Sequence, residues 1–321
     1  MRRRVLGFVL LGLGALCLGA ALAVRLVLAP TLVTLPLDQK ASVTVVDPDA
    51  TYLDFESLSE VSGEVTARLQ VRGDVTAGEA SDDVAVWSSG TTITNEDGDL
   101  LTEPAEVVNC LDRTTAEAVD CDAASADIDG LTLTFPFDTQ QQDYEVWNGN
   151  VGEAVTARYD GEDEVEGVEV YRFVQTVPET VIRTAEVPGT FAGESSADTV
   201  TADVVYSSER TILVEPVSGK IVSSVEHPVT VLRGPGGDTG LTVLEAELGP
   251  TDEGLGDAAA GAAETRDQIT LVQRTLPLAI AGLGVVLLLV GAFLLLRAPR
   301  GAHRADPAPA VQPTAPVTFA K

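Results

Sequence analysis

Two apolar runs frame a middle in which apolar and polar residues alternate. Val5 to Ala29 follows Met1 and Arg2–Arg4, and Leu276 to Leu296 is 21 residues without a charge. About 20 apolar residues span a bilayer as a helix, so the second run predicts a transmembrane helix. The first run fits two patterns. Its basic start, apolar stretch and Ala21-Leu-Ala23 fit a signal peptide with a cleavage site. Yet the run continues past that site to Ala29, broken only by Arg25, whose long side chain can reach the interface. That continuation favours an uncleaved anchor. Leu16 stands where a lipoprotein site needs a small residue, so Cys17 reads as a thiol inside a membrane helix.

Between the runs the pattern is mainly β, with antiparallel sheets in an α+β arrangement. Short Val- and Thr-rich runs are broken by Gly, Asp, Asn and Pro. Residues 41–46, 63–72, 83–87 and 90–94 are candidate strands, and Asn95 to Asp99 reads as a turn. Residues 131–135 read as another strand. In residues 167–177, Val168, Val170, Arg172 and Val174 share one face, and Glu169, Tyr171, Phe173 and Gln175 the other. Residues 202–206 and 210–216 follow. The latter turns through Val217, Ser218 and Gly219 into residues 220–225, as a hairpin does. Residues 229–232 and 241–246 flank a Gly-rich loop. From Asp257 through Gln273, Ala and Glu predict a helix leading into the second span. The expected organisation is therefore an anchor at 1–29, a β-rich domain at 30–275, a span at 276–296 and a Pro/Ala-rich disordered tail at 297–321. The domain is expected to have two β halves, 40–130 and 150–250.

Charge fixes the orientation of this plan. Arg2, Arg3 and Arg4 precede the first run, and Arg297, Arg300 and Arg304 follow the second. Both termini are therefore expected in the cytoplasm of a plasma-membrane protein, with residues 30–275 extracytoplasmic. That middle segment holds 48 of the 49 acids and 12 of the 20 bases, a formal charge of −36. Such a surface repels nucleic acid and anionic headgroups. Only Cys110 and Cys121 lie in it, and two cysteines in an oxidising compartment most simply pair, so a disulfide is expected.

The motifs of known chemistry are absent from the sequence. It has no Gly-x-Ser-x-Gly, no His-Glu-x-x-His, no phosphate loop and no dinucleotide fingerprint. His227 and His303 are the only histidines, and neither has a ligand-spaced neighbour, so no metal site and no cofactor is expected. The reading is non-enzymatic.

One stretch departs from this bland background. FPFDTQQQDYEVWN, residues 135–148, concentrates Phe135, Phe137, Tyr144 and Trp147 from a chain with fifteen aromatics. These four are the candidate ligand-binding residues, because aromatics beside glutamines both stack and hydrogen-bond. The alternative is a structural plug at a corner fixed by Pro136. Together with GVEVYRFVQTVPET and RTILVEPVSGKIV, the stretch makes the chain resemble the actinobacterial PorA-like family of two-helix membrane proteins, over residues 3–297. The strand and hairpin also resemble lipoprotein-carrier folds, whose curved sheets wrap amphiphiles. The resemblance brings no catalytic residues. It implies either a domain that binds or scaffolds an envelope lipid or lipoglycan beside the bilayer, or the channel that the family's name implies. A membrane barrel needs strands of about 9–11 residues that are apolar outward, with aromatic girdles, and the runs here read as too short.

Overall fold

The computed structural model describes residues 2–54, 57–194, 198–237 and 239–297. The expected disordered tail therefore lies outside the described residues, apart from Arg297. The chain forms two compact units. One runs Ala23–Leu276, and the other pairs the chain up to Leu22 with the chain from Pro277.

The second unit is a helix pair: α1, Arg2–Ala23, and α4, Leu276–Leu296. Small residues recur every seven positions on one face of each. Gly7, Gly14 and Ala21 are buried on α1, and Pro277, Gly284 and Gly291 on α4. A Cβ on Gly14 would sit 2.8 Å from the Gly284 carbonyl oxygen, and one on Gly291 2.8 Å from that of Gly7. The helices thus run antiparallel with their backbones nearly touching, as small-residue seams allow. The helix containing α1 extends over Arg3–Leu32, and the one containing α4 over Asp252–Leu296, and both are long and apolar enough to cross a membrane.

The larger unit holds the continuations of both helices. A π-helical turn at Val24–Leu28 leads to α2, Ala29–Leu32, and a second at Leu271–Thr275 follows α3, Asp252–Thr270. α3 starts five residues before the predicted helix. Thr251 caps it, its hydroxyl accepting from the Gly254 N–H.

The rest of the unit is one antiparallel sheet. Its strands are β1 Lys40–Asp54, β2 Ser59–Gly73, β3 Val84–Asn95, β4 Ala105–Asp112, β5 Tyr144–Asn148, β6 Glu153–Val165, β7 Val168–Pro188, β8 Thr199–Val214, β9 Ile221–Arg233, β10 Thr239–Glu245 and β11 Gly249–Pro250. The path runs β4-β3-β2-β1-β10-β9-β8-β7-β6-β5, with β11 on β1. Both predicted β halves contribute to this sheet. The short predicted runs fuse: 83–87 with 90–94 into β3, and 202–206 with 210–216 into β8. Small and polar residues such as Ser88, Ser89, Ser207 and Ser208 broke the apolar signal, but each has a ladder partner on the next strand. Residues 131–135 are a correction. Only Leu131 makes a ladder contact, and the segment otherwise follows a turn.

Leu131 has a larger part than strand membership. The two ends of the sheet path, β4 and β5, are joined by isolated bridges: Leu111 to Ala118, Glu117 to Leu131, and Leu131 to Val146. At this level the sheet closes on itself. Leu131 donates to Glu145 O at 2.9 Å and accepts from Trp147 N–H at 2.7 Å. Cys110 and Cys121 form a disulfide, with Cα atoms 6.3 Å apart, so β4 is tied covalently to the loop that makes the closure. Asp112 caps the turn into that loop, accepting from the N–H groups of Thr114 and Thr115, each at 2.8 Å.

The interior of the closed level is packed. Val71, Ala85, Trp87, Leu111, Leu131, Phe135, Phe173 and Ile212 form one buried cluster with their neighbours. Gln175, 1% exposed, sits in this interior and donates to the carbonyls of Val146 and Val155 at 2.8 and 3.0 Å. The outer face is polar. On β2 alone, Glu60, Glu64, Arg68, Gln70 and Arg72 are exposed while Val65, Ala67 and Val71 are buried.

Replacing both Cys110 and Cys121 by Ser should cost about 2–3 kcal/mol in denaturant unfolding under non-reducing conditions. Unchanged stability would show that the closure does not depend on the cross-link. The pH dependence at Asp112 is a second check. The Thr115 N–H, the largest cause, and the Thr114 N–H hold its carboxyl below the ordinary value, against partial burial. A lowered folded-state value means that the stabilisation is present above the ordinary carboxylate range and is lost as pH falls through the lowered value. The stability gap between wild type and Asp112→Asn should therefore hold at neutral pH and narrow below about pH 4. A gap independent of pH would refute it.

Candidate functional site

The FPFDTQQQDYEVWN stretch leads from the closing rung to the β8–β9 turn and back to β5. Its route is set by backbone hydrogen bonds. Phe135 N–H donates to Gly219 O at 2.9 Å, Asp138 N–H to Val217 O at 3.2 Å, and Thr139 N–H to Pro216 O at 2.8 Å. The turn itself is held by Glu215, 1% exposed, whose carboxylate accepts from the Ser218 N–H at 2.8 Å and the Ser218 hydroxyl at 2.6 Å. Gly219 has φ +70°, and a Cβ there would lie 2.1 Å from the Phe135 carbonyl oxygen. Only glycine lets the two segments approach this closely.

The four aromatic candidates do not share one fate. Phe135, 1% exposed, stacks on Phe173 with centroids 4.9 Å apart, and Tyr144 meets both rings edge-on at 5.4 and 5.7 Å. Phe137 is partly buried against the same cluster. Trp147 lies one residue along β5 from buried Val146, so its half-buried ring points to the other face. Phe135, Phe137 and Tyr144 are therefore brought together as packing at the closed level, and Trp147 is apart from them. The aromatic chain continues from Phe173 to Tyr159 at 5.8 Å and to Tyr171 at 5.7 Å.

What the stretch leaves open to solvent is its polar centre. Asp138, Gln140, Gln141, Gln142, Tyr171 and Arg274, with Pro216 and Val217, line a groove of about 690 Å³. Asp138 holds a left-handed φ of 56°, and the Gln140 N–H donates to the Tyr144 hydroxyl at 2.9 Å. Backbone in this sparsely populated region costs about 1–3 kcal/mol and is kept where the surroundings impose it. Sequence reasoning marked the glutamines only as neighbours and missed Tyr171 and Arg274. The signal for Arg274 was its place two residues before the charge-free run at Leu276.

A second hollow, about 480 Å³, lies under the disulfide loop beside Asp120, Asp122 and Asp127. No group of three or more His, Cys, Asp or Glu among the described residues is arranged to hold a metal. Tyr206 is buried on the inner face, where burial and then the Glu226 charge raise its pKa. It stays protonated at neutral pH and donates to Glu226 at 2.9 Å, as Ser208 does.

The sequence signature of the Porin PorA family matches residues 6–293. The chain belongs to the Porin PorA family. A relative, Porin PorA of Corynebacterium amycolatum, is 24% identical over 300 residues, an alignment covering 70% of this chain and 77% of that protein. The match spans both long helices and the whole sheet, so the actinobacterial resemblance rests on more than the aromatic stretch.

Gly219→Ala should separate the stretch from its turn. The expected loss is about 1–3 kcal/mol of stability, with a weakened near-ultraviolet signal from the aromatic cluster. Wild-type stability and spectrum would mean that the contact is not needed to hold the stretch.

Proposed function

We propose that this Porin PorA family member is a two-pass plasma-membrane protein, non-enzymatic, whose β domain stands outside the bilayer and binds a cell-envelope amphiphile. Both ends of the domain continue into apolar helices, and the basic residues beyond those helices favour cytoplasmic termini. One observation carries the reading. The sheet is packed inside and charged outside at its closed level, so the domain presents a polar exterior rather than a lipid-facing wall. One of its two hollows is the glutamine-lined groove beside Arg274. Arg274, two residues before the second apolar run, lines that groove.

The family's name and the relative named Porin PorA favour a second reading, passage of solutes. With the interior of the sheet filled by packed side chains, conduction would have to run through assembled helices. Mass spectrometry of organic extracts from the purified full-length protein tests the first reading. A lipid at near-stoichiometric amount is expected, and a folded protein free of lipid would overturn it. Planar-bilayer recordings of the same preparation test the second, and discrete conductance steps would establish it instead.

A further inference from the structure

Deepening the amphiphile-binding reading and resting on it, we propose that the groove between residues 138–142 and Arg274 recognises the headgroup of a phospholipid whose phosphate carries a polyhydroxyl group. Arg274 provides the phosphate end. It stands two residues before the charge-free run, the depth at which basic side chains meet lipid phosphates. Its guanidinium is exposed and makes no hydrogen bond or ion pair with the described residues, in a domain where acids outnumber bases four to one. An unpaired arginine in such surroundings is available to an anion from outside the protein.

The rest of the lining carries both acceptors and donors. The Gln141 amide nitrogen donates to Glu162 Oε1 at 2.5 Å, and that of Gln140 donates to the Asp138 carbonyl. Each contact takes one of the two N–H donors of its amide, so each amide keeps one N–H and its oxygen for a ligand. The Asp138 carboxylate adds further acceptors, and the Gln142 amide and Tyr171 hydroxyl line the same groove with donors. A mixed set of acceptors and donors matches a ring or chain of hydroxyls, each of which both donates and accepts. A choline headgroup offers no donor to this set. A compact ammonium would need one carboxylate and would leave three consecutive amides unused. The glutamines are held in place by packed parts: Tyr144 receives the Gln140 N–H, and Thr139 is pinned to Pro216.

The full-length protein in phosphatidylcholine nanodiscs, doped in turn with phosphatidylinositol, phosphatidylserine or phosphatidylethanolamine, tests this by native mass spectrometry of retained lipid. Phosphatidylinositol should be retained about tenfold over phosphatidylserine, which has equal net charge, a ratio worth one or two hydrogen bonds. The triple variant Gln140→Ala, Gln141→Ala, Gln142→Ala should erase that ratio while keeping weak retention of both anionic lipids. Arg274→Gln should lower both together, and Arg274→Lys should recover part of the loss. Equal wild-type retention of the two anionic lipids, a preference for phosphatidylethanolamine, or selectivity that survives the triple variant would overturn the assignment. If lipid is still retained in those cases, the amphiphile-binding reading stands and only the groove fails. If wild-type protein retains none of the doped lipids and yields none on extraction, both fail. The substituted glutamines are exposed, and an unchanged near-ultraviolet spectrum serves as the folding control.

Discussion

The contact on which the sheet depends is the bridge that Leu131 makes between the ends of the strand path. A curved antiparallel sheet with free edges exposes unpaired backbone groups on both of them. Here β4 and β5 cannot meet directly, and residues 117–118 and 131 fill the gap one ladder contact at a time. So thin a closure needs support. The disulfide fixes the loop on the β4 side, and Phe135, four residues after Leu131, locks the other side by stacking on Phe173. The aromatic concentration in the sequence follows from this demand. Where few hydrogen bonds join the ends of the sheet, large buried rings offset the missing ladder.

The helices meet a different constraint, and their spacing shows how. The buried small positions advance by seven, from Gly7 to Gly14 to Ala21, and from Pro277 to Gly284 to Gly291. The next buried positions, Ala29 and Ile269, lie eight residues away. Each eight-residue step contains a π-helical turn, Val24–Leu28 or Leu271–Thr275. A π turn accommodates one extra residue, so the same face stays buried through the longer step. The two π segments also pack against each other.

The sequence made the apolar spans and the strand character plain, because both depend on local composition and period. Strand lengths were hidden, since Ser88–Ser89 and Ser207–Ser208 look like turns until their partners across the ladder are known. The closing bridges were hidden for the same reason: a single ladder contact at Leu131 leaves no periodic trace. The seam was present as Gly7, Gly14, Gly284 and Gly291, but uniformly apolar surroundings mask a pattern of small among large. At the candidate site, the stretch was visible and its division of labour was not. Alternation along β5 puts Tyr144 inside and Trp147 outside, and only the register fixes which residue faces in. Arg274 comes from the far end of the chain, so no local pattern could place it beside Gln142.

Strand length no longer argues against a lipid-embedded barrel, since β7 alone has 21 residues. The polarity of the outer face does. Setting β2 against hydrocarbon would bury Arg68 and Arg72, at about 2–4 kcal/mol for each arginine near the midplane, with Glu60 and Glu64 adding to it. β6, near the other end of the strand path, strengthens the point, with Arg158 and Asp160 exposed. A porin in the strand-walled sense also needs an open lumen, where this sheet holds Trp87, Phe135 and Phe173. The lipid-compatible surface of the chain is helical. α4 carries no charge along its length, and its small residues are already spent on α1. A conducting path built from such pairs would need polar residues that α4 does not have.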